Sequence, residues 1–182
     1  MSIQKKNFAG QMSYDNGALM CTCCAVLWSI SLVLDIITDW FHETHIDMLM
    51  KTSQNLYKKI KLHNPNSLLQ QNEVFKMLNV SPDLCIEEYF ASNKQILKDF
   101  QCECNAIVEL QQFLFSMPHK SACILTLNQH AVAVFKHFER YVFFDSLPAH
   151  VVVCDDFAEF DHFFNQNYGP VLDCHLNFVY EK

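Results

Sequence analysis

Glycine is scarce in this chain: three residues in 182, against sixteen phenylalanines. That ratio excludes an architecture built on glycine-dependent turns and points to a well-filled core. Basic charge is also short. Thirteen Lys and Arg face twenty Asp and Glu, giving a net charge of −7. Phosphate recognition leans on clustered Lys and Arg, so general nucleic-acid binding is not expected. An acidic surface instead suits a basic partner or a basic peptide tail. Low-complexity tracts, internal repeats and linker-like stretches are missing too, and residues 1–182 read as one domain. The opening MSIQKKNFAGQ holds no apolar run of the kind a leader peptide needs, so none is expected.

What is present is globular in composition: 51% apolar and 18% charged, at a length that buries a substantial core. Cysteine is abundant, and its count of nine is odd. A secreted disulfide framework favours even numbers, so free thiols in a reducing, intracellular compartment are the expectation. The segment LMCTCCAVLWSISLVLDII, from Leu19 to Ile37, is long and apolar enough to be weighed as a membrane span. Asp35 lies inside it, and Thr22, Ser29 and Ser31 interrupt the rest. A helix that is apolar nearly all round is also what the centre of a globular core requires. The expectation is therefore a core helix over about 20–38, and no membrane partner.

Further along, residues 40–62 read as helix, with Met48, Leu49, Leu56 and Ile60 as apolar positions. His63-Asn64-Pro65-Asn66-Ser67 is a turn, and a short helix near 67–78 ends before Ser81-Pro82-Asp83. Residues 84–117 read as one or two short helices with room for a strand. From Cys123 the period changes. CILTL, HAVAVF and RYVFFDS are β-branched and aromatic runs, predicting a three-strand meander. Asp155 and Asp156 offer an N-cap for a helix over 155–167, Gly169-Pro170 stops it, and CHLNFVY is a final strand. Helices first and an antiparallel sheet later describe an α+β fold.

Two places carry chemistry. The first is the start of the long helix, where the macrodipole and unpaired amides favour a thiolate. Of the three cysteines in MCTCCAV, Cys21 comes first, directly after the turn-forming Asp15-Asn16-Gly17, and is the candidate nucleophile. Cys23 and Cys24 fall a turn deeper, where free cysteines behave as small core hydrophobes. All three being core thiols is the plain alternative. A zinc site built from Cys21–Cys24 and the CEC at 102–104 is another, weighed against because the first group falls inside a helix read as buried. No metal and no cofactor is expected.

The second place is the meander. If HAVAVF and RYVFFD close a hairpin around KHFE with Phe135 opposite Arg140, His130 lies directly opposite Asp145 on one face. A carboxylate at that distance holds an imidazole in one tautomer. The same register sets Val132 against Phe143 and Val134 against Tyr141. Taken singly, His130 is a strand-edge histidine and Asp145 a residue opening a turn. Together with Cys21, in the order Cys, His, Asp, they make a candidate catalytic unit.

These residues also bear a resemblance. FAGQMSYDNGALMCTCCAVLWSI resembles the start of the herpesvirus large-tegument-protein deubiquitinase domains, matching through Gln11, Tyr14, Gly17, Cys21, Thr22, Ala25 and Val26. LTLNQHAVAVFKHFERYVFFDS is similar to that family's strand pair ending in Phe-Asp. The resemblance implies a papain-like cysteine protease fold and a thiol protease that cleaves after the C-terminal glycine of ubiquitin through a thioester. Ubiquitin or ubiquitin-modified proteins would then be the partner, and the host cytoplasm or nucleus the location. It also gives Gln11 a role, as amide donor to the oxyanion of acyl transfer. The alternatives are a papain-like protease for a ubiquitin-like modifier or other peptide, and a catalytically inactive papain-like binding domain. The chain departs from the family at one point. The family's aspartate is followed two residues later by its catalytic histidine, whereas this chain reads Asp145-Ser146-Leu147. Either His130 supplies the base, as the hairpin register favours, or His150 folds back from the loop after Pro148. The departure marks a divergent relative.

Overall fold

The computed structural model describes residues 3–13, 20–63, 65, 70–78, 81–92, 103–127, 130–147, 149–168 and 174–182. The Asp15-Asn16-Gly17 turn, most of the turn after His63, Cys102 and Gly169-Pro170 lie outside them. In chain order the elements are β1 (Gln4–Asn7), a 3-10 turn (Gln11–Ser13), α1 (Cys21–Val33), α2 (Glu43–His63), α3 (Gln71–Leu78) and β2 (Leu84–Ser92). There follow α4 (Glu103–Ser116), β3 (Ser121–Leu127), β4 (His130–His137), β5 (Arg140–Asp145), β6 (His150–Cys154), α5 (Phe157–Tyr168) and β7 (Cys174–Glu181). The strands form one seven-stranded sheet in the order β1-β6-β5-β4-β3-β7-β2, antiparallel at every pairing. Helices and an antiparallel sheet in this arrangement are the expected α+β fold.

Both faces of the sheet are covered, which explains why its central strands read as apolar runs rather than alternating ones. Ala131, Ala133, Phe135, Val142, Phe144, Val151 and Val153 face α1. Val132, Val134, Tyr141, Phe143, Val152 and Cys154 face α4 and α5. Helix α1 has the sheet on one side and α2 and α3 on the other. Ten of its thirteen residues are buried, so an all-round apolar composition is what its position demands. Burial of a side chain such as Val26, Leu32 or Val33 stabilises by about 1.5–3 kcal/mol, far more than the helix propensity lost by a β-branched residue. Among the described residues no helix is long and apolar enough to cross a membrane.

Helix α1 ends earlier than the apolar run suggests. Asp35 adopts φ 53°, the amide of Ile36 donates to the Ser31 carbonyl at 2.8 Å and that of Asp35 to Leu32 at 3.1 Å. This is a left-handed C-terminal motif that satisfies the last carbonyls. The Asp35 carboxylate then pairs with Lys120 at 2.7 Å. At the start of α5, Asp156 accepts from the Glu159 amide at 2.9 Å while Glu159 accepts from the Asp155 amide at 3.0 Å. The N-cap read from Asp155 and Asp156 therefore belongs to Asp156.

The β4–β5 register differs from the expected one. His137 pairs Arg140 and Phe135 pairs Val142, so the turn is only Phe138-Glu139, with Phe138 at φ 55°. Two-residue hairpins of this kind match strand twist and accept positive φ. The observed pairing is thus two residues away from one that sets His130 directly opposite Asp145. A slip of two keeps every side chain on its face. His130 and Asp145 become diagonal neighbours instead. Strand β6 and the edge strand β1 lie outside the expected meander and final strand. The described residues of the stretch read as short helices with room for a strand form β2 and α4.

Candidate active site

The end of the sheet where β4 begins and β5 ends meets the N-terminus of α1. The placement of α1 along the sheet is set by packing: Trp28 stacks on Phe144 at 5.2 Å between centroids and 12° between planes. Met20, at the N-cap, provides no capping side chain. The first amides of α1 therefore act on whatever sits beside them. Cys21 is that residue, and the backbone amides of Thr22 and Ala131 both favour its charged form.

His130 opens β4 and sits against both partners. Its Nε2 lies 2.6 Å from Asp145 Oδ1. With that nitrogen committed, Nδ1 is left for the Cys21 thiol, to which the ring is also hydrogen-bonded. Burial alone pushes the Cys21 thiol up, but the hydrogen bond from His130, the Ala131 amide and the imidazolium charge together hold it below its ordinary value of 9.0. Burial likewise works against a charged His130. Hydrogen bonds to Asp145 and Cys21, with the charges of both, nevertheless raise it to about 9. The two shifts, down at Cys21 and up at His130, both favour a thiolate facing an imidazolium, and the two groups titrate as one unit. Cys23 and Cys24 behave oppositely. Both are fully buried, and burial pushes each thiol up to about 12. The Cys24 thiol points to Met50 Sδ, 3.6 Å away.

Asp145 is buried, at 3% exposure, which by itself disfavours its charge. Three donors reverse that: His130 at 2.6 Å, the Leu147 amide at 2.9 Å on the same oxygen, and the Tyr168 hydroxyl at 2.7 Å on Oδ2. The hydrogen bond and charge of His130 contribute most, and the carboxyl stays below its ordinary range. Leu147, which stands where the resembling family has its histidine, acts through its backbone. Tyr168 has no local sequence signal. Only the docking of α5 on β5 and β6 brings it to Asp145, so no residue pattern along the chain points to it.

His150 is not on a loop. It opens β6, directly paired with Asp145, 5% exposed and packed between Phe143 and Phe163. Burial keeps this ring neutral, with the charge of Lys5 adding to the effect. No hydrogen bond to Cys21 is found for it among the described residues. Gln11 lies in the 3-10 turn, but its side chain is outside the described residues. Its backbone neighbourhood is defined. Phe8 donates to the Ala149 carbonyl at 2.6 Å, and Gly10 sits so close to the 146–149 loop that a Cβ there would fall 2.8 Å from the Leu147 carbonyl oxygen. The segment carrying Gln11 is therefore braced against the loop that follows Asp145. Among the described residues no His, Cys, Asp or Glu cluster is arranged to hold a metal ion.

The fold is that of the papain-like cysteine proteases. The chain is similar to the ubiquitin-specific protease encoded by the murine cytomegalovirus tegument protein M48, solved in complex with a ubiquitin-based suicide substrate. The two share 14% identity and a TM-score of 0.62 over 98% of this chain and 84% of that one. The avirulence protein AvrPphB of Pseudomonas also matches, at 13% identity and a TM-score of 0.46 over 98% and 96% of the two chains. No protein-family profile and no curated protein matches the sequence.

Proposed function

We propose that this chain is a cysteine-type deubiquitinase that hydrolyses the bond after the C-terminal glycine of ubiquitin. The carrying observation is the linked arrangement of Cys21, His130 and Asp145, with 2.6 Å between His130 Nε2 and Asp145 Oδ1. Cys21 attacks the scissile carbonyl as thiolate, and the oxyanion is stabilised by the Gln11 amide, in the role that the resemblance gives it. The His130 imidazolium gives its proton to the leaving amine, which departs and leaves a thioester on Cys21. Neutral His130 then takes a proton from water, whose oxygen attacks the thioester. Collapse releases the ubiquitin carboxylate and returns the thiolate and imidazolium. Asp145 orients the ring and stabilises its charge throughout.

Ubiquitin as the substrate is supported by the resemblance at Gln11, Cys21 and the Phe-Asp strand end, and by the likeness in fold to the murine cytomegalovirus protease. The net charge of −7 suits a basic tail. A thiolate nucleophile fits a reducing compartment, such as the cytoplasm or nucleus of a host cell. The test is a ubiquitin probe with an electrophilic C-terminus. A covalent adduct that disappears in Cys21→Ala and persists in Cys23→Ser is expected, with Cys23→Ser lowering Tm because it buries an extra hydroxyl. Labelling only by a ubiquitin-like modifier would move the substrate to that class. No labelling by any modifier would leave a binding domain.

A further inference from the structure

Asp145 stands between two histidines. On β4, His130 takes Oδ1 at 2.6 Å. On β6, His150 is the residue directly paired with Asp145. Its ring is buried, and its Nδ1 has no hydrogen-bond partner. Nothing in the reaction uses it. Tyr168, the last residue of α5, lies at the junction. Its hydroxyl donates to Asp145 Oδ2 at 2.7 Å, and the hydroxyl oxygen itself is 3.4 Å from His150 Nε2. Packing holds the tyrosine ring there, against Phe143 at 4.9 Å and Phe164 at 5.6 Å.

We propose that Tyr168 is a positioning residue: its hydroxyl occupies the second oxygen of Asp145 and so commits the carboxylate to His130 rather than to His150. This rests on reading Cys21, His130 and Asp145 as one unit. A carboxylate has two oxygens and can serve two imidazoles at once. If His150 took Oδ2, the carboxylate would turn between two imidazoles, and its bond to His130 would weaken. A neutral phenol satisfies that oxygen without adding charge. The titratable groups around Asp145 divide accordingly. His130 comes from β4 with Cys21 of α1 behind it, Tyr168 from α5, and His150 from β6. Lys5 of β1 opposes a charge on His150, and Cys24 of α1 is a neutral neighbour of the adjoining Ser146.

The test compares the wild-type chain with Tyr168→Phe, His150→Phe and the double variant. The reaction of Cys21 with iodoacetamide is followed against pH by peptide mass spectrometry. This profile needs no protein substrate. It rises once as the thiolate forms and again as His130 loses its proton. In Tyr168→Phe the upper step should fall by about one pH unit, as His150 takes a share of Asp145. On a ubiquitin C-terminal fluorogenic amide, kcat should drop about tenfold with KM unchanged. His150→Phe alone should leave the upper step where it is, and the double variant should return it toward the wild-type position. A residue that merely fills space would give the same step in all four. An upper step unmoved in Tyr168→Phe, or equally lowered in the double variant, overturns the proposal. Imidazole NMR on the wild type provides a check that needs no variant: near pH 8, where His130 is charged, His150 must be neutral, and a charged His150 there also overturns it. A moved step in a chain that does not turn over ubiquitin would sink the substrate reading while leaving the role of Tyr168 standing.

Discussion

Replacing His130 with alanine removes three influences at once, and the structure allows each to be sized. In the native site Cys21 lies below 9.0 because the hydrogen bond and charge of His130 overcome burial. Without them burial is opposed only by the Ala131 and Thr22 amides, and the thiol rises. Less of Cys21 is then thiolate at pH 7, a loss on the order of 10² in nucleophile at most. The proton for the leaving amine disappears as well, which costs roughly another 10²–10⁴. Asp145 meanwhile keeps its Tyr168 and Leu147 donors, so it is not left bare. The expected fall in kcat/KM is therefore about 10⁴, close to that of Cys21→Ala, as for members of one unit. His150→Ala makes the contrasting case. It opens a cavity between Phe143 and Phe163 and should lower Tm, yet retain most of the rate. The assay is hydrolysis of a ubiquitin C-terminal fluorogenic amide, with Tm measured alongside. A dead His150→Ala beside an active His130→Ala would refute the reasoning, since the base would then be the ring on the far side of Asp145.

Asp145→Asn should be milder than His130→Ala, because an amide still orients the ring but cannot stabilise its charge; an Asp145→Asn variant as inactive as Cys21→Ala would assign the carboxylate a larger part. Gln11→Ala should lower kcat about 10²-fold with little change in substrate binding, and an effect confined to KM would assign Gln11 to binding instead. Gly10→Ala tests the brace beneath Gln11. Its Cβ meets the Leu147 carbonyl at 2.8 Å, so the 3-10 turn or the 146–149 loop must shift, and misplacement on that scale costs about tenfold or more in kcat. Wild-type kcat in Gly10→Ala would show that the turn does not position the reaction.

Local pattern alone was enough to determine the helix that carries Cys21, the run of strands that carries His130 and Asp145, and the antiparallel character of the sheet. Apolar periodicity and β-branched runs are local properties, and a cysteine at a helix start is visible without knowing what packs there. The face shared by His130 and Asp145 was legible for the same reason, since alternation along a strand has a period of two and survives an even slip. The register itself was not. It depends on whether Phe138 accepts φ 55°, and nothing local announces a tight turn at a phenylalanine. What tertiary structure alone decided is the company each group keeps. His150 opens HVVVC, a β-branched run between Pro148 and Asp155 that local pattern marks as a possible strand without saying what it pairs with. Its fate followed from pairing with β5, which buried it. Tyr168 stands 23 residues from Asp145 and reaches it only because α5 packs across β5 and β6. Long-range pairing and helix docking depend on contacts between segments far apart in sequence, and these decide which of two histidines bonds the carboxylate.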